Sequence, residues 1–167
     1  KIFVDILENT IRIEPKSRKE LYFSIFHLCC AFPDISAYIA SDSEKIKLFV
    51  NCFQSSDEEI VEFSLKFFCL LFNQAAETDI KLNMIDCLPW SRLNIMLENH
   101  YLTWHRFLFK FVEDMSIDQA FVDRGWENGV YEKIILLSDE VPLESRIEIG
   151  RMFINILNKI PPEACIP

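Results

Sequence analysis

The chain has 167 residues, half of them hydrophobic, with 15 Phe but only 3 Gly; so few Gly argues against β-sandwiches and phosphate-loop α/β folds, whose turns need φ > 0. A formal net charge of −9 argues against holding nucleic acid by overall charge, which takes a surplus of Lys and Arg. No signal peptide is visible, and no apolar run reaches the roughly 18 residues of a membrane span.

Helical periodicity and its punctuation then divide the chain. A first helix is predicted over Ile2–Ile13, with Ile2, Leu7 and Ile11 on its apolar face and Pro15 ending it. Ser17, with Glu20 three residues on, forms a capping box for a helix to Phe32, which Pro33 stops. Asp34–Ala40 is short. Ser43 is predicted to cap a helix to Phe53, and a strongly apolar helix follows over Glu58–Asn73. Shorter helices over Thr78–Ile85 and Trp90–Asn99 lead to an aromatic one, His100–Asp114. Ile117–Arg124 is short, Gly125 turns the chain, and helices over Asn128–Leu137 and Pro142–Lys159 complete it before Pro161-Pro162.

Long helices thus begin near Ser17, Asp57, His100 and Val141, at steps of 40, 43 and 41 residues, within the ~40–47 of HEAT and armadillo units and beyond the ~33–34 of ankyrin and TPR repeats. The expected fold is all-α: a right-handed α-solenoid of about four stacked repeats, the first incomplete, forming a single domain over residues 1–167. An up-down bundle is the alternative, but it does not call for a recurring short helix. Val61, Leu65, Phe68 and Leu71 or Phe72 line one side of their helix and Phe63, Phe67 and Leu70 the other. A helix apolar on two sides needs neighbours on both, as in a stack of repeats.

Ser116-Ile117-Asp118-Gln119-Ala120-Phe121-Val122-Asp123-Arg124-Gly125 resembles the first-helix motif of armadillo repeats. Val130–Leu137 is similar to their second helix, and Glu148-Ile149-Gly150-Arg151-Met152-Phe153-Ile154-Asn155-Ile156-Leu157 to their third. As motif, the likeness covers about the last third of the chain. It implies a concave groove lined by third helices, where Asn and Trp ladders hold an extended peptide. At the Asn position only Asn155 matches; His27, Leu70 and Lys110 stand at the others. At the Trp position stand Phe23, Lys66, Arg106 and Arg151. Lys66, Arg106, Lys110 and Arg151 are therefore expected to form a basic stripe, with Asn155 beside Arg151. Such a stripe suits an acidic or phosphorylated segment.

Neither GxGxxG, Walker A, GxSxG nor HExxH occurs, and no Cys/His spacing suits zinc. His105, between Trp104 and Arg106, reads as a packed residue. No catalytic, cofactor-binding or metal-binding residue is expected. Cys29, Cys30, Cys52, Cys69, Cys87 and Cys165 read as reduced, buried, small hydrophobes, which points to cytoplasm or nucleus. The expected function is a protein–protein interaction scaffold without enzymatic activity. A self-associating assembly module, an RNA-binding repeat array and a nuclear transport adaptor are the alternatives. Opening without Met inside a helical pattern, the chain reads as a piece of a longer protein whose first helix exposes apolar surface.

Overall fold

Prolines and acidic caps decide where the helices start. The computed structural model describes residues 15–98 and 102–159, so the helix predicted over Ile2–Ile13 lies outside the described residues, as does Cys165. Two compact units divide between Leu88 and Pro89. The first contains α1 (Pro15–Ala31), α2 (Pro33–Ala40), α3 (Ser43–Val50) running into a 3-10 turn (Asn51–Gln54), α4 (Glu58–Gln74) and α5 (Thr78–Asp86). The second contains α6 (Trp90–Met96), α7 (Leu102–Met115), α8 (Gln119–Glu127), α9 (Val130–Leu137) and α10 (Leu143–Leu157). The fold is all-helical, with no strand among the described residues.

Asp42, Asp57 and Asp118 cap α3, α4 and α8, their carboxylates accepting from the N–H groups of Glu44 (3.0 Å), Glu59 (3.0 Å) and Ala120 (2.9 Å). Each satisfies a backbone donor that the first helical turn leaves open. Pro33 opens α2 at a position where a missing N–H costs nothing, and Pro89 and Pro142 immediately precede α6 and α10. Three local expectations change. Ser43 is the first residue of α3 rather than its cap, because neighbouring Asp42 takes that role. Ser17 lies inside α1, which begins two residues earlier at Pro15. Gly125 sits within α8, and the chain turns at Gly129, whose φ of 74° is the left-handed conformation that Gly adopts without steric cost.

In the first unit α4 packs against α1, α2 and α3. Val61, Leu65, Phe68 and Phe72 are buried on one side of it and Phe63 and Phe67 on the other, as predicted, while Leu70 is half-buried. The rings of Tyr22, Phe49, Phe63 and Phe67 form a continuous cluster, Phe49 and Phe67 lying 4.4 Å apart at their centroids. Burying each such ring contributes on the order of 1.5–3 kcal/mol. The Ser36 hydroxyl donates to the Cys29 carbonyl (3.1 Å), tying α2 to α1 without leaving a buried polar group open.

In the second unit α7 packs lengthwise on α10. Leu108, Phe109, Phe111, Val112 and Met115 of α7 are buried, with Ile149, Met152 and Ile156 of α10. Trp90 and Phe111 both meet Phe121, at 5.3 and 5.9 Å between centroids. Polar bonds join α6 to the α8–α9 corner: the Asn94 amide donates to the Asn128 carbonyl (2.7 Å), and Lys133 Nζ donates to the Asn94 carbonyl (2.9 Å).

Helices recur in the order long, short, short, and the long ones begin at Pro15, Glu58, Leu102 and Leu143, separated by 43, 44 and 41 residues. No single described helix is long and apolar enough to cross a membrane.

Candidate interaction surface

A helix turns 100° per residue, so positions alternately four and three apart stay on one side of it. α10 carries two such rows. Ser145, Ile149, Met152 and Ile156 are buried, on the side that meets α7. The other row is Leu143, Ile147, Gly150, Ile154 and Leu157. Its four large side chains are 70, 50, 57 and 61 % exposed, and a Cβ built on Gly150 would meet no atom within 4 Å. From Leu143 to Leu157 the row runs about 21 Å. Single exposed apolar residues are ordinary, whereas an unbroken apolar row along a whole helix is not. Both rows follow from the spacing of aliphatic residues along the helix, and the packing of α7 decides which of them is buried.

The cations expected in a basic stripe are placed as follows. Lys66 is exposed on α4 in the first unit, paired one turn back with Glu62. In the second unit Arg106 and Lys110 stand exposed on α7, Arg151 is exposed on α10, and Asn155 is half-buried one turn beyond Arg151. Lys110 bonds Glu113 (3.1 Å) and Asp114 (2.8 Å) of its own helix, which raises its ammonium pKa. Glu148 of α10 completes the group. Burial raises its carboxyl pKa, the Glu113 charge adds to that, and Lys110, Arg106 and Arg151 oppose it. One Glu148 oxygen is buried without a hydrogen bond. The structure thus brings Arg106, Lys110 and Arg151 together, but interleaved with Glu113, Asp114 and Glu148, so the patch is of mixed charge. Arg106 and Arg151 form no salt bridge with any described residue.

His105 is packed, as predicted. It is 2 % exposed, stands 5.4 Å from the Phe109 ring, and burial lowers its pKa, favouring the neutral imidazole. Its nitrogens lie near the Met96 and Glu98 backbone without a well-formed hydrogen bond. Cys29 and Cys52 are buried, Cys69 and Cys87 are half-buried, and Cys30 departs from the expectation by being exposed. Among the described residues, no three His, Cys, Asp or Glu side chains converge as metal ligands would.

No protein-family model, no curated protein and no solved structure matches the chain.

Proposed function

We propose that the chain is a protein–protein interaction module, built as an armadillo- or HEAT-like α-solenoid, that engages its partner through the outer apolar row of α10. The solenoid reading draws support from the long, short, short order and the near-even spacing of the long helices. The interaction reading rests on one observation: Leu143, Ile147, Ile154 and Leu157 leave at least half of their surface in water while the opposite side of the same helix is buried. Covering such side chains contributes on the order of 25 cal/mol for each Å² removed from water.

A photo-crosslinking amino acid placed at Ile154 of the protein in its own cells tests this. A discrete protein adduct is expected there and none from the same group at Asp79, which is exposed on α5. No adduct from position 154, or the same smear of products from both positions, rejects the reading.

A second reading has an acidic or phosphorylated segment bound at Arg106 and Arg151, favoured by the absence of a salt bridge from either to a described residue. Its signature is binding that weakens as salt is added and disappears in the Arg106→Glu/Arg151→Glu variant.

A further inference from the structure

Resting on the interaction reading, we propose that the occupant of the α10 row is a second copy of this chain, paired antiparallel about a two-fold axis at Gly150. The row reads Leu143, Ile147, Gly150, Ile154, Leu157, the same in residue type from either end, with Leu143 and Leu157 each seven positions from the glycine. A two-fold contact requires a surface that complements itself. Turned over on its twin, this row sets Leu143 of one copy against Leu157 of the other and glycine against glycine at the crossing, while Ile147, three positions before the glycine, and Ile154, four after it, come within one residue's rise, about 1.5 Å, of facing each other.

Gly150 supplies the second observation. The chain has only three glycines, and two have reasons inside the fold: Gly129 takes a positive φ, and Gly125 lies under the Tyr131 ring. Gly150 has neither. Its conformation is helical, and open space lies where its Cβ would be. Glycine within a helix is less stable there than alanine, and among the described residues no contact offsets that. Close passage of another helix does, because a residue without a side chain lets two backbones approach. The 3.5-residue spacing of the row is also that of helices packed side by side.

The borders of the row carry polar groups, Glu144 and Arg151 along one side and Arg146, followed by the half-buried Phe153, on the other. A helix of fifteen residues offers a footprint of roughly 22 by 10 Å, well below the ~800 Å² per partner of a tight complex. Pairing is therefore weak and depends on concentration. Two copies each of charge −9 repel, so added salt strengthens the dimer, the opposite of its effect on an acidic peptide held by Arg106 and Arg151.

Sedimentation equilibrium of the 167-residue chain, with cysteine cross-linking, tests the pairing. A monomer–dimer equilibrium is expected, tightened by salt and weakened about tenfold or more in Ile147→Glu/Ile154→Glu, whose helical circular dichroism is retained. Under mild oxidation Gly150→Cys links to itself, and Leu143→Cys links to Leu157→Cys but not to itself; mass spectrometry identifies each linked peptide against the native cysteines. A chain that stays monomeric while position 154 still captures a different protein overturns self-pairing and leaves the interaction reading standing. Monomer without any adduct overturns both. A dimer indifferent to the Ile147/Ile154 change, or one linking Leu143→Cys to itself, overturns the antiparallel geometry.

Discussion

Gly125 lies directly beneath the ring of Tyr131: a Cβ at position 125 would stand 3.1 Å from the Tyr131 Cδ2 and Cζ atoms and closer still to Cε2. Tyr131 is fully buried and cannot swing out to make room. Its hydroxyl pairs with Ser116 Oγ (2.9 Å), which in turn donates to the Val112 carbonyl (2.6 Å), so one ring joins α9 to the end of α7. Gly125→Ala therefore lowers the melting temperature, although alanine is the better helix former. Overpacking costs about 1–3 kcal/mol against a propensity gain of about 1 kcal/mol. Tyr131→Phe keeps the ring and removes the hydroxyl link, at about 0.5–1.5 kcal/mol. A thermal melt of Gly125→Ala equal to that of the parent contradicts the packing described.

Gly150→Ala has the opposite sign. With open space around the new methyl group, the helix-propensity gain of about 0.5–1 kcal/mol acts alone. The melting temperature rises, measured at a dilution where the chain is monomeric. Two glycine-to-alanine changes in helices of one unit thus move stability in opposite directions, and a shared direction contradicts one of the two environments.

Much of this arrangement is legible in the amino-acid sequence. Pro33, Pro89 and Pro142 mark helix boundaries, and the two-sided burial of α4 follows from the spacing of its Phe and Leu residues. What failed were choices between equivalent neighbours. Asp42 and Ser43 are both good caps and stand side by side. Gly125 and Gly129 both suit a turn, and only the ring of Tyr131, brought in by α9, reserves Gly125 for packing. The pairing of Lys66 and Lys110 was legible, since Glu62 and Asp114 stand four residues from them on the same helices. The choice of buried row on α10 was not: both rows carry aliphatic residues at one spacing, and the packing of α7 decides between them.

His105 makes stability depend on pH. Burial lowers its pKa, so the folded chain resists taking a proton that the unfolded chain accepts below about pH 6.5. Its contribution is fully present above that value and is lost as pH falls toward the folded-state pKa. Chemical denaturation between pH 7.5 and about pH 5.5 is expected to show decreasing stability, with a flatter profile in His105→Gln. A parent and variant whose profiles run parallel exclude the buried imidazole as the cause.

Glu148 titrates with the reverse sign. Burial and the neighbouring Glu113 raise its carboxyl pKa even with Lys110, Arg106 and Arg151 nearby, so the folded chain favours the protonated acid more than the unfolded chain does. That preference contributes stability below the ordinary glutamate range, and it is lost as pH rises through the folded-state pKa. At neutral pH the charge is therefore a burden, increased by the oxygen left without a hydrogen bond. Glu148→Gln is expected to raise the melting temperature at pH 7 and to lose that advantage on acidification toward about pH 4. Because Arg106 and Arg151 both oppose the shift, Arg151→Gln in the parent is expected to enlarge the gain from Glu148→Gln removal of charge, which a double-mutant cycle reads directly. A Glu148→Gln variant less stable than its parent at neutral pH shows instead that the three cations hold this carboxylate in a favourable site, and that the α7–α10 seam is fastened by charge as well as by its aliphatic core.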